Sequence, residues 1–118
     1  MNKLVLGLVA FMAAGAVACG GSYPPPSERL ATSEAAARSA QEMGAPKDPK
    51  AALYLKYATE QIDQAKALIA AGDNKRAAEI LARASADAEL ALQLAKEQST
   101  RAEANEAIEK LKALKGGK

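Results

Sequence analysis

The sequence of 118 residues predicts an all-α protein, either an antiparallel helical hairpin or a small three-helix bundle, with a long, overhanging C-terminal helix. Apolar residues recur at alternating spacings of four and three over two long segments, as in a helical seam. A short turn, Gly72-Asp73, separates these segments, and alanine makes up about a quarter of the chain. We expect a domain at 27–115 with helices at about 27–43, 49–71 and 74–114, followed by a flexible tail at 116–118.

The first predicted helix begins after a proline run. Ser27 is the predicted N-cap, and Glu28 favours the positive end of the helix dipole. The stretch Gly44-Ala45-Pro46 is expected to stop this helix near Met43. Its apolar stripe is weak and consists of Leu30, Ala36, Ala37, Ala40 and Met43.

The second predicted helix has a stronger start signal. Asp48 is a carboxylate cap, and Pro49 suits the first helical position because its missing N–H costs nothing there. Leu53 and Tyr57 lie off the regular seam and suggest a second contact face toward the first helix. The seam itself consists of Ala51, Leu55, Ala58, Ile62, Ala65 and Ile69.

The third predicted helix follows a very short turn. Gly72 supplies a left-handed position that ends the second helix, and Asp73 caps the next one. A turn this short requires the two helices to be antiparallel neighbours. The seam of the third helix consists of Ala77, Leu81, Ala84, Ala88, Ala91 and Ala95.

The register of apolar residues changes after Ala95. Thr100 and Glu103 resemble a capping box, which would break the helix, but one long helix that frays or kinks near Ser99 is the preferred interpretation. Such a helix is about 60 Å long, whereas the second helix is about 33 Å long. The excess length carries an apolar stripe that must meet the first helix, a second copy or another protein. The predicted partner surface consists of Ile108, Leu111 and Leu114.

The first residues have the pattern of a secretory signal peptide at 1–18. Lys3 precedes an uncharged stretch, 4–18, that ends on the small residues Ala16-Val17-Ala18. The stretch is too short for a transmembrane helix, which needs about 20 apolar residues. Cys19, the one cysteine of the sequence, follows directly.

This junction resembles the bacterial lipobox, although Ala16 stands where leucine is usual. The resemblance implies cleavage between Ala18 and Cys19 and a diacylglyceryl thioether and N-acyl group on Cys19. The segment 19–26 is then a lipidated cysteine with a flexible Gly/Pro tether. The alternative is an ordinary signal peptide, which would release a soluble periplasmic binding module with a free thiol. Gly20, in the position where aspartate favours inner-membrane retention, implies the outer membrane.

A second resemblance covers residues 48–96. The A-xxx-A spacing around Ala70-Ala71-Gly72-Asp73 is similar to that of short alanine-rich envelope lipoproteins of unknown function. In that group the helical domain is sometimes fused to a peptidoglycan-binding domain of the outer-membrane-porin type. The resemblance implies a lipid-anchored helical domain at the outer membrane, facing the periplasm.

The residues themselves favour a non-catalytic protein. Histidine is absent, and there is no glycine-rich phosphate loop or metal-spaced ligand cluster, so we expect no enzyme activity, no cofactor and no evident small-molecule substrate. The net charge of +2 with interspersed signs argues against nucleic acid. An interaction module for an envelope protein or a second copy is the main interpretation. The alternative is a tether to peptidoglycan through Lys118, a terminal lysine that resembles that of the murein lipoprotein.

Overall fold

The computed structural model describes residues 22–117, and these form an all-α bundle. Its helices are α1 (Ser27–Glu42), α2 (Pro49–Ala70) and α3 (Asn74–Gly116). A 3-10 turn, Ala45–Lys47, joins α1 to α2. No strand occurs among the described residues, and the predicted fold class with a long C-terminal helix is confirmed.

The turn between α2 and α3 has the predicted chemistry. Gly72 has φ +80°, and its N–H donates to the Ile69 carbonyl at 3.0 Å, while the Asp73 N–H donates to Leu68 at 2.9 Å. These two bonds close a Schellman motif, which uses up carbonyls at the end of α2. The Asp73 carboxylate then accepts from the Arg76 N–H at the start of α3. Two helices joined by so short a turn run antiparallel.

The core between α2 and α3 consists of the two predicted seams. All six predicted seam positions of α3 are buried, as are four of the six in α2; Leu55 and Ile69 are partly buried and pack at the edge. Leu81 is the largest fully buried apolar side chain among the described residues. Because most buried positions are alanine, the helices approach closely but bury little area per residue.

α1 lies against both partners and runs parallel to α3. Its Ser33 lies beside Leu81 and Ser85, while Ala40, two turns later, belongs to a cluster with Ala91 and Ala95. Contacts therefore advance in the same direction along both helices. α1 and α2 together cover α3 only as far as Ala95.

The start of α1 differs from the prediction. Ser27 is not the N-cap but the first helical residue; Pro26 is at the cap position, and no side chain caps this end. Backbone carbonyls take over instead, since Ser27 N–H donates to Pro25 and Leu30 N–H donates to Pro26. At the other end, Gly44 adopts φ +94° and stops the helix as expected.

Leu53 and Tyr57 do not form the predicted contact face toward α1. Both are exposed, and the α2 residues that pack beside the Ala40 cluster are Tyr54 and Leu55. The reason is helical geometry: at about 100° per residue, Leu53 lies about 160° around the helix from the seam residue before it, Ala51.

α3 is one continuous helix through residues 98–101. The predicted long helix is confirmed. It is uninterrupted at Ser99, where fraying or a kink is predicted, and the Ser99 hydroxyl donates to the Glu103 carboxylate at 3.3 Å. The helix extends to Gly116, two residues beyond its predicted end, so Gly116 is not part of a flexible tail. Its 43 residues are about 64 Å long, twice the length of the 22-residue α2. Residues 96–116, which we call the overhang, follow the last buried residue of α3, and every residue from 100 to 116 is exposed.

Candidate functional site

The overhang carries the predicted partner surface. Every residue of 100–117 is exposed. Ile108, Leu111 and Leu114, which we call the overhang stripe, are 48%, 58% and 75% exposed. Three large aliphatic side chains one turn apart form an apolar face that the chain itself does not cover.

The overhang stripe does not continue the core seam of α3. At about 100° per residue, its central residue, Leu111, lies about 160° around the helix from Ala95, the last buried seam residue. A longer α1 or α2 would therefore still leave the stripe uncovered. A partner helix can approach it from the side of α3 that faces away from the bundle.

Ion pairs on the overhang stay in solvent. Exposed pairs of this kind contribute little to stability and form no chemical site. Glu79 and Arg83, four residues apart on α3, form no ion pair among the described residues, although both side chains line open crevices. The overhang pairs are Glu97–Arg101, Glu106–Lys110 (Nζ–Oε1 2.6 Å) and Glu109–Lys112 (Nζ–Oε1 2.8 Å).

The N-terminal segment enters at the opposite end of the bundle. Asn74, the first residue of α3, donates from Nδ2 to the Tyr23 carbonyl at 2.9 Å, and Pro26 is buried. Within the segment 19–26, predicted as a tether, Tyr23 is thus hydrogen-bonded to α3 and Pro26 is buried, and the flexibility of the segment stays a prediction. The entry point and the tip of the overhang lie at opposite ends of α3.

An open groove lies beside this entry point, and we call it the N-terminal groove. It has a volume of about 420 Å³. The sequence pattern predicts a tether at 19–26 and no groove. The cations of the groove come from two helices that are far apart in the sequence, so no local pattern indicates it. The residues that line it are Tyr23, Arg29, Lys75, Ala78, Glu79, Ala82 and Arg83.

A second crevice, of about 240 Å³, lies between α2 and α3, beside Gln61, whose Nε2 donates to Asp87 at 2.7 Å. Tyr54 and Tyr57 meet edge to face, with ring centroids 6.2 Å apart. Tyr54 is partly buried and packs beside the core. Within residues 22–117 no group of three or more His, Cys, Asp or Glu side chains is arranged to hold a metal ion.

Three predicted site residues, Ala18, Cys19 and Lys118, lie outside the described residues. Among the helices that are described, none is both long enough and apolar enough to span a membrane. The structure thus has two candidate surfaces at opposite ends of α3: the N-terminal groove at the entry point and the overhang stripe at the far end.

Comparison with known proteins adds no family: no family model, no curated protein and no solved structure matches this chain.

Proposed function

We propose that this chain is a lipid-anchored, non-catalytic protein of the bacterial cell envelope, and that it acts as an interaction module in the periplasm at the outer membrane. The lipobox-like junction Ala18-Cys19 supports the anchor. One observation carries the proposed role: the chain enters the bundle at one end of α3, while the overhang stripe is exposed at the other end.

The covalent chain limits the distance between anchor and bundle. Cys19 precedes Tyr23 by four residues, and at about 3.6 Å per residue it can lie no more than about 14 Å from it. Three acyl chains on Cys19 would hold it in the membrane essentially permanently, since each buried methylene contributes about 0.8 kcal/mol. The tip of the overhang, about 64 Å along α3, would then extend away from the lipid surface.

The partner proposed for the overhang stripe is an amphipathic helix of another envelope protein. Together with Ala104 and Ala107, the first two stripe residues occupy the i, i+3, i+4 and i+7 positions that anchor a helix in a groove. Self-association of two overhangs is the alternative occupant, and the experiments below separate the two.

Intact-mass spectrometry of the protein extracted from membranes tests the anchor. We expect the wild type to have the mass of residues 19–118 plus three acyl chains. Cys19→Ala should lack that species and leave the membrane fraction. A bare chain that begins at Cys19 would contradict lipidation and leave a soluble periplasmic protein.

Crosslinking in intact cells tests the stripe. We expect Leu111→Asp with Leu114→Asp to abolish the crosslinked species seen with wild type. Leu53→Asp, at an exposed leucine on α2, is the control and should leave them unchanged. Crosslinks of twice the chain mass would identify a second copy. An unaltered pattern in the double variant would exclude the stripe as the contact surface.

A second candidate function is a covalent tether to peptidoglycan through the ε-amine of Lys118. The observation that favours it is the position of the helix end: α3 ends at Gly116, remote from the entry point at Tyr23. Deletion of Lys118 tests it. We expect the wild type to stay with purified sacculi after detergent until muramidase is added, and the deletion variant to be released by detergent alone. Equal release of both would exclude the link.

A further inference from the structure

The N-terminal groove is lined by two alanines and by three cations, which we call the rim cations. Ala78 is buried and Ala82 is exposed, and Tyr23, 44% exposed, also lines the groove. The rim cations come from two helices, Arg29 from α1 and Lys75 and Arg83 from α3. Glu79 is the acidic residue that lines the groove, so cations outnumber carboxylates by three to one.

The three rim cations have no carboxylate partner among the described residues. Arg76, one residue after Lys75, differs because it is paired with Asp73 at 3.3 Å. Unpaired guanidinium and ammonium groups retain their hydrogen-bond donors and charge for an external anion. Arginine in particular matches the oxygens of a phosphate group.

We propose that the N-terminal groove rests on the membrane surface and binds the phosphate groups of anionic phospholipids. This inference rests on the proposed anchor, because Tyr23, which lines the groove, can lie no more than about 14 Å from the lipidated Cys19. The tyrosine in the groove lining suits a membrane interface, because its ring can contact apolar lipid while its hydroxyl stays hydrated.

The anchor makes a weak surface sufficient. Each lysine or arginine near an anionic surface strengthens binding about fivefold, so three would be marginal for a free protein. A tethered groove meets the lipid as an intramolecular event at high effective concentration. Lys75 and Arg83 lie eight residues apart, about 12 Å along α3, so contact through both cations would set the angle between α3 and the membrane.

The experiment installs the anchor chemically. A chain of residues 19–118 is coupled through the Cys19 thiol to a maleimide lipid, in vesicles of phosphatidylcholine alone or with about a third phosphatidylglycerol. All buried residues that the structure describes lie between Pro26 and Ala95, so this chain retains its core. The readout is the acylation rate of individual lysines, measured by mass spectrometry. Lys75 reports on the groove and Lys50 on the opposite end.

We expect acylation of Lys75 to be at least about fivefold slower on anionic than on neutral vesicles, with Lys50 unchanged. High salt should abolish the difference, because surface charges are screened. Equal reactivity of Lys75 on the two vesicle types would overturn the proposal.

Two double variants of equal net charge distinguish lipid binding by the groove from a general effect of positive charge. Arg29→Gln with Arg83→Gln should remove the protection of Lys75. Lys47→Gln with Arg101→Gln removes the same charge elsewhere and should leave protection intact. If both double variants lose protection equally, the groove has no specific role. In this experiment the lipid is attached chemically. A negative result would therefore exclude lipid binding by the groove and would not bear on lipidation of Cys19 in cells, which intact-mass spectrometry tests separately.

Discussion

At the scale of single residues, a buried serine shows how α1 and α3 approach each other. The Ser33 hydroxyl lies 2.8 Å from the Arg29 carbonyl, 3.2 Å from the Leu81 carbonyl and 2.8 Å from the Ser85 hydroxyl. A polar group can be buried here because its hydrogen bonds are satisfied. The side chain is also small enough to let the two helices pack closely. The sequence stripe of the first helix did not include Ser33.

Substitution of Ser33 tests this packing. Ser33→Ala should lower the free energy of unfolding by about 1 kcal/mol, the net value of a hydrogen bond. Ser33→Leu should cost about 2–3 kcal/mol because it overpacks the contact. Urea denaturation measures both, with the exposed Ser39→Ala as the control that should change little. A stabilising Ser33→Leu would mean that the α1–α3 contact is loose.

Gly72 is a second residue whose conformation determines its identity. With φ +80° and no heavy atom within 4 Å of an added Cβ, a side chain there meets strain but no clash. Gly72→Ala should therefore lower the free energy of unfolding by about 1–2 kcal/mol. Gly116, the last residue of α3, also has no heavy atom within 4 Å of an added Cβ and is the matched control. Thermal unfolding followed by circular dichroism compares them, and an equal effect of both substitutions would contradict the turn argument.

At the scale of elements, α3 is one helix in two environments. Residues 77–95 pack against α1 and α2, whereas the last turns contact nothing described. An isolated helix of about 20 residues is marginal in water, since most helical stability in proteins comes from tertiary packing. The overhang is therefore helical by propensity and by continuation of the bundled part.

Hydrogen exchange should divide α3 at the edge of the bundle. We expect slow amide exchange at residues 77–95, where opening needs unfolding of the bundle, and fast exchange from about residue 100 onward. Mass-spectrometric measurement on overlapping peptides resolves the boundary. Equal protection along the whole of α3 would show that a second copy covers the overhang in solution.

Substitutions in the core should lower the free energy of unfolding much more than substitutions in the overhang. Leu81→Ala removes a fully buried side chain and should cost about 2–5 kcal/mol. Leu111→Asp with Leu114→Asp should change the free energy of unfolding by less than about 0.5 kcal/mol at low protein concentration. The comparison uses urea unfolding, and a large loss in the double variant would indicate a contact that stabilises the overhang.

At the scale of the whole molecule, the protein is a small bundle with a directional extension. Alanine-rich seams bury little apolar area, so the bundle has a thin core, while α3 gives the molecule two distinct ends. The entry point with its cationic groove is at one end, and the overhang stripe is at the other. This separation suits a protein that is held by one end and binds with the other.

The thin core predicts modest stability of the isolated protein. We expect high helicity and a melting temperature well below about 80 °C. A concentration series of circular dichroism melts measures it. A cooperative melt of the monomer above about 80 °C would contradict the argument from core size.

The sequence by itself determined the helices, their seams and the Gly72-Asp73 turn. Those features depend on spacing and on capping chemistry within a few residues, which the order of residues carries directly. The overhang stripe was also predictable, because it follows from a change of register and from the excess length of α3. The lipobox-like junction at Cys19 is likewise a local pattern, and it remains a prediction.

Only the tertiary structure decided how distant segments meet. The burial of Ser33, the hydrogen bond between Tyr23 and Asn74 and the convergence of three cations at the N-terminal groove all depend on how α1 packs across the hairpin. That arrangement is determined by side-chain contacts between residues about 50 positions apart, for which neither helical period nor cap chemistry carries a signal.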